Sequence, residues 1–190
     1  GRMIPLRMPN WCQNIMEVEG DEEHLKQFIE KADDGKFTLE AYFPMPENPE
    51  DHLDDGPPHW TDLLREKGRA SSMPDWYEWR VKYWGTKWDV KEEGGTFLMK
   101  NKNEPAPISS TTMTIDNGKF AVSYMTAWGP PAEGIREISK RNPTLMFKLI
   151  YAEFGHGSAG TVVYLNGLPV SFEEGDPDEY AKRYDFSHAY

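Results

Sequence analysis

The order of strand and helix signals constrains the fold of this chain more than any other feature of its sequence. Apolar side chains alternate with other residues from Leu145 to Tyr151, which predicts a strand. Pro130-Pro131 opens a helical segment in front of it, and Asn142-Pro143 closes that segment. Asn166-Gly167 predicts the tight turn of a later hairpin. With a further strand at 119–127, the second half is predicted to run strand, helix, strand, strand.

The first half of the chain repeats part of this pattern. Trp11–Val18 alternates at strand spacing, and Asp21 follows as the predicted N-cap of a helix that carries Leu25 and Phe28 on one face. Phe37–Phe43 alternates again and predicts a second strand. Two such units predict an α+β fold with a split βαβ antiparallel sheet and two helices on one face.

The residues between the two halves are predicted to form a large insertion at 44–110 within a single domain of residues 8–174. A short helix and tail are expected at 175–190. The insertion begins with an acidic, proline-rich loop, and a hairpin is predicted from strands at 87–90 and 96–100. It is also rich in tryptophan, with Trp60, Trp76, Trp79, Trp84 and Trp88. Large aromatic side chains bury much area, so such a cluster marks either a core or a recognition surface.

The chain is strongly acidic, with 21 Lys and Arg residues against 32 Asp and Glu residues and a formal net charge of −11. A negative surface repels nucleic-acid backbones and anionic lipids, so only a local basic groove would hold nucleic acid. A basic protein is the partner that this charge favours. The single cysteine, Cys12, cannot form an intrachain disulfide, and no apolar run approaches the ~20 residues that span a bilayer. We therefore expect a cytoplasmic protein with no membrane partner.

Four short motifs, in the same order along the chain, carry a family resemblance. They are Met8–Asn14, Trp84–Asp89, Thr126–Pro131 and Tyr151–Gly155. Together they resemble the YubB-like family of phage and plasmid proteins of unknown function. The resemblance implies a ferredoxin-like domain. It also implies that the protein is encoded by a mobile genetic element and is located in the cytoplasm of a bacterial host. It implies no mechanism, because the family has no established activity.

Aromatic and charged side chains near these motifs are the candidate ligand-binding residues. They are Trp11, Trp76, Trp79, Arg80, Trp84, Lys87, Trp88, Asp89 and Trp128. The indoles are suited to stacking a nucleobase while Arg80, Lys82 and Lys87 meet a phosphate. The interpretation that the spacing favours is that the indoles join the insertion to the sheet, because Trp76, Trp79 and Tyr83 have the spacing of an ordinary core stripe.

Two other binding chemistries are disfavoured by spacing. Gly85-Thr86-Lys87 lacks the upstream glycine and the preceding strand of a phosphate loop, so Lys87 and Asp89 are expected to form an ion pair or to clamp neighbouring backbone groups. His52 and His59 lie in the acidic loop without the ligand spacing of a zinc site or a calcium loop. We expect neither a metal nor a cofactor.

Catalytic residues are hard to assign. His156 and Ser158 lie in a glycine-rich turn after Glu153 and are weak candidates to face a pocket beside the sheet. Glu153 and Asp89 are the acids expected to form an acid–base pair if the protein is an enzyme. The spacing supplies no nucleophile with a base and an orienting third group, so we assign no catalytic residue.

The interpretation that the sequence favours is a non-catalytic binding or interaction module. A role against a host process such as defence, through a basic host protein, is a hypothesis from the implied origin and the negative charge. A binder of a nucleotide or single-stranded nucleic acid through the tryptophans is the alternative, and an enzyme using Glu153 and His156 is a further one.

Overall fold

Six strands and six α-helices form the secondary structure of residues 10–66, 73–90, 96–98, 115, 117–184 and 186, which the computed structural model describes. The strands are β1 (Trp11–Glu19), β2 (Thr96–Leu98), β3 (Lys119–Ala127), β4 (Met146–Glu153), β5 (Ser158–Leu165) and β6 (Leu168–Gly175). The helices are α1 (Glu22–Glu30), α2 (Leu39–Tyr42), α3 (Trp60–Glu66), α4 (Asp75–Tyr83), α5 (Ala132–Arg141) and α6 (Pro177–Tyr184), and a 3-10 helix spans Pro49–His52. None of these helices is long and apolar enough to cross a membrane.

The strands form one antiparallel sheet in the order β2-β3-β1-β4-β5-β6. β1 lies between β3 and β4, which α5 connects, so β3, α5 and β4 make a split βαβ unit around β1. Residues at the start of β1 pair with the ends of both neighbours: Trp11 faces Ala127, and Cys12 faces Glu153. This register brings three chain segments together at one end of the sheet.

Helices α1 and α5 cover one face of the sheet, as predicted. Asp21 caps α1 by accepting a hydrogen bond from the Glu23 amide at 2.9 Å, and Leu25 and Phe28 enter the main core beside Ile135 of α5. The opposite face is covered in part by α6, whose Tyr180 packs in a second cluster with residues of β1, β4 and β5. A helix on this second face was not predicted.

Described residues of the predicted insertion share the main core. Leu53, Trp79, Trp84 and Val90 are all buried in the same cluster as the side chains of β1 and β4. The Trp84 indole is fully buried and donates to the Phe43 carbonyl at 2.9 Å, which satisfies its polar atom away from water. The limits 8–174 and 44–110 stay predictions.

The predicted strand at 37–43 is wrong, because this segment contains helix α2. The Thr38 side chain caps the helix by accepting from the Ala41 amide at 3.1 Å. Asp89, 50 residues away, accepts from the Leu39 amide at 2.7 Å and from the Glu40 amide at 3.0 Å. These bonds satisfy the backbone amides at the start of α2. Phe37, Leu39 and Phe43 therefore reach the core from α2 and the residues beside it.

The predicted hairpin in the insertion is only partly correct. Residues 87–90 form an irregular loop, whereas 96–98 form β2 at one edge of the described sheet, and the turn between them lies outside the described residues. The sequence also predicts a strand at 111–115 before the Asn117-Gly118 turn, and that segment lies outside the described residues apart from Ile115. The hairpin of β5 and β6 is confirmed, with positive φ at both Asn166 and Gly167.

Candidate functional site

Trp128 follows β3 directly and adopts a backbone conformation that is unusual for its residue type. Its φ is +70°, in the left-handed region that costs a non-glycine residue about 1–2 kcal/mol. The ring is nevertheless 40% exposed, so packing alone gives an incomplete reason for the conformation. Strained residues cluster at functional sites, which makes an exposed tryptophan in this conformation a candidate recognition residue.

The Trp128 turn is fixed by hydrogen bonds from three segments. The Trp128 amide donates to the Asn10 carbonyl at 2.7 Å, and the Thr126 hydroxyl donates to the Gly129 carbonyl at 2.6 Å. The Thr86 hydroxyl donates to the Ala127 carbonyl at 3.0 Å. The indole is therefore presented from a rigid frame instead of a loose loop.

The segment after α4 places Lys87 and Trp88 beside this turn. Buried Trp84 anchors the segment on one side, and on the other side Asp89 binds backbone amides of α2. The Lys87 Nζ lies 4.2 Å from the ring centroid of Trp88 and 5.7 Å from that of Trp128. Tyr77 of α4 adds a third ring at 6.0 Å from the same Nζ.

Two further rings extend the group. The Trp11 and Trp88 ring centroids are 6.2 Å apart, and those of Trp128 and His156 are 6.1 Å apart. We call the set Trp11, Tyr77, Lys87, Trp88, Trp128 and His156 the aromatic–cation patch. Among the residues that the structure describes, no carboxylate lies within ion-pair distance of Lys87. Its charge is met by ring faces, which attract cations electrostatically.

Glu153 holds His156 in place. Its carboxylate is almost fully buried and accepts from the Gly155 amide at 2.7 Å, the His156 amide at 2.8 Å and His156 Nδ1 at 2.9 Å. The His156 ring itself is exposed next to Trp128. The structure therefore brings the two weak catalytic candidates together, in contacts that order a turn. Burial and the nearby Glu153 carboxylate raise the pKa of the Cys12 thiol, which keeps this cysteine neutral and unreactive.

The remaining sequence candidates divide between surface and core. Trp76 is 38% exposed, and the Arg80 guanidinium lies 5.2 Å from its ring centroid and 4.9 Å from that of Trp84. Trp79 and Trp84 are buried in the core, where no ligand reaches them.

Lys82 and Asp89 are both engaged in contacts that stabilise the fold. Lys82 is buried and donates to the Leu53 carbonyl and to Asp62. The Asp89 carboxylate accepts from backbone amides, so the expected backbone clamp is confirmed for Asp89. Lys87 instead contacts aromatic rings.

The patch contains two residues that the sequence did not place in it. Tyr77 is not among the sequence candidates, although its position one residue after Trp76 puts it on a neighbouring face of α4. His156 is a sequence candidate only for catalysis. The acidic loop offers no further site: His52 contacts Asp55, and His59 contacts Thr61. Within the described ranges, no group of three or more His, Cys, Asp or Glu residues could hold a metal ion.

Comparison with known proteins bears on the fold of the second half of the chain. Residues 109–189 match the family model described as "Ferredoxin-like domain in Api92-like protein". This part of the chain is a ferredoxin-like domain. The chain is also similar to the crystal structure of a protein api92 from Yersinia pseudotuberculosis, at 11% sequence identity and a TM-score of 0.49, over 88% of this chain and 98% of that one. No curated protein matches the sequence.

Proposed function

We propose that this protein is a non-catalytic binding module and that the aromatic–cation patch is its recognition surface. The observation that carries the proposal is the position of the Lys87 ammonium among the rings of Tyr77, Trp88 and Trp128. Exposed aromatic side chains around a cation are the type of surface on which binding energy concentrates. The strained backbone of Trp128 adds support, because its cost is explained if the exposed ring is used.

The ligand that this chemistry fits best is a nucleotide, free or within a single strand. An indole face stacks on a base, and a nearby ammonium attracts a phosphate. The net charge of −11 opposes long nucleic acids, so contact with one or a few nucleotides is favoured over a duplex.

The test is a titration of a panel of nucleoside monophosphates and short oligonucleotides, followed by tryptophan fluorescence. Trp128→Ala is expected to weaken binding about tenfold or more, because stacking contributes about 1–3 kcal/mol per base. Lys87→Ala should lower the slope of log affinity against log salt by about one. Trp60→Ala removes an exposed indole outside the patch, 53% exposed against 40% for Trp128, and is the control. Unchanged fluorescence and unchanged Tm across the whole panel would remove the proposal.

A second candidate function uses the acidic surface and a basic host protein. Carboxylates of Glu47, Glu50 and Asp51 are exposed around the 3-10 helix, and further exposed acids surround the start of α6. The resemblance to YubB-like proteins supports this candidate, because it implies a phage or plasmid origin and a location in the bacterial cytoplasm. Charge complementarity also supports it, because it steers the association of an acidic surface with a basic protein.

The acidic-surface candidate is tested by a pull-down from bacterial lysate. It predicts salt-sensitive capture of a basic protein, which is lost when Glu47, Glu50 and Asp51 are changed to neutral amides. Capture that resists salt, or that survives those changes, counts against it.

A further inference from the structure

Strand β6 is the outer strand at one edge of the described sheet. Its residues from Leu168 to Glu174 are all exposed. Three of them are large and apolar: Leu168 is 59% exposed, Val170 is 55% exposed and Phe172 is 63% exposed. An edge strand with apolar side chains and unpaired outward amides is a template for pairing with another strand.

Charges are arranged unequally along this edge. At the hairpin end, Arg136 donates to the Gly167 carbonyl at 2.7 Å, and the aliphatic part of Lys140 packs beside the same glycine. At the other end, β6 carries exposed Glu173 and Glu174. The edge is therefore positive at one end, apolar in the middle and negative at the other.

Such an edge is complementary to itself when two copies run antiparallel. A two-fold axis near Ser171 places the acidic end of each β6 against the basic end of the other and brings the apolar side chains of both together. Interfaces with this symmetry use the same patch on both subunits and close as dimers. Pro169 lacks an amide donor, and the axis places it opposite Glu173 of the other copy, so backbone pairing is best over Val170–Phe172.

We propose that two copies of this chain pair through their β6 edges, antiparallel and about an axis near Ser171, to continue the sheet across a dimer. The occupant of the edge is a second copy because the charges of one end match those of the other. The surface is separate from the aromatic–cation patch, so this proposal and the proposed function stand or fall independently.

Sedimentation equilibrium over a dilution series tests the assembly. The full chain is expected to approach twice 21.9 kDa at high concentration. Phe172→Glu should raise the dimer dissociation constant about tenfold or more, because it places a charge in the apolar centre. Leu63→Glu, at a similarly exposed apolar residue of α3, should leave it unchanged. A monomer at every concentration, or equal effects of both variants, overturns the proposal.

Charge exchange tests the orientation. Glu174→Lys and Lys140→Glu should each weaken the dimer, and the double variant should recover most of the loss, because the exchanged charges again face each other. A double variant as weak as the sum of the single ones contradicts the antiparallel arrangement.

Crosslinking tests the position of the axis. Cys12 is fully buried, so Ser171→Cys adds the one accessible thiol among the described residues. A short bis-maleimide should join two such chains, whereas Glu30→Cys on exposed α1 should give no dimer band. Equal crosslinking of the two variants would refute the axis.

Discussion

The backbone strain at Trp128 gives the sharpest test of the candidate site. Replacing Trp128 with alanine or with glycine removes the ring equally, but only glycine adopts a φ of +70° without steric cost. The left-handed conformation costs alanine about 1–2 kcal/mol. The unfolded chain is more flexible with glycine than with alanine, which lowers the free energy of unfolding of the glycine variant by about 0.5–1 kcal/mol. The glycine variant should therefore be more stable than the alanine variant by about 0.5–1 kcal/mol.

Trp88 provides the matched control. It is 37% exposed in the same patch, and it does not have a positive φ. There the order should reverse, with alanine more stable than glycine by about 0.5–1 kcal/mol. The glycine variant's advantage over the alanine variant should therefore be greater at position 128 than at position 88 by the cost of the left-handed backbone alone, about 1–2 kcal/mol.

Urea unfolding of the four variants measures these differences, and equal m-values would show that the unfolded states are comparable. Both Trp128 variants should lose nucleotide binding to the same extent, since both lack the indole. If glycine were no better than alanine at position 128, or if position 88 gave the same order, the strain argument would be refuted.

Three other predictions concern side chains outside the aromatic–cation patch. Asp89→Asn should destabilise the protein by about 1 kcal/mol in urea unfolding, because it weakens the cap of α2, whereas Glu30→Gln on an exposed helix end should have little effect. Trp84→Phe should cost about 1–3 kcal/mol in the same assay, since it leaves the buried carbonyl of Phe43 without its donor. Burial lowers the pKa of His59 from its ordinary value. As the pH decreases through about 6.5, this histidine therefore takes up a proton in the unfolded chain before it does so in the folded protein, and the free energy of unfolding falls. The Tm of His59→Gln should fall less than that of the wild type between about pH 7 and about pH 5.5.

Elements with local signals were predictable from the sequence. β1 and α1 carry their own periodicity and their own cap at Asp21, and the β5–β6 hairpin is set by its Asn-Gly turn. These features depend on contacts between residues close in the chain. The same applies to α5, whose Ile135 and Ile138 mark the buried face.

The errors lie where distant residues decide the structure. The alternation at 37–43 fits a strand, but Asp89 stabilises the start of α2 across 50 residues of sequence. Likewise, the division of the tryptophans into buried Trp79 and Trp84 and exposed Trp88 depends on how α4 packs against α5 and the 3-10 helix. No local pattern contains that information, so the composition of the patch required the structure.

Indole NMR signals test the central claim most directly, because each of the seven tryptophans gives a separate Nε1–H signal that a single substitution assigns. On titration with a nucleotide that binds, the signals of Trp88 and Trp128 should shift. Those of buried Trp79 and Trp84, and of Trp60 outside the patch, should stay in place. Shifts confined to Trp60, or no indole shift with any nucleotide in the panel, would contradict the assignment of the aromatic–cation patch as the recognition surface.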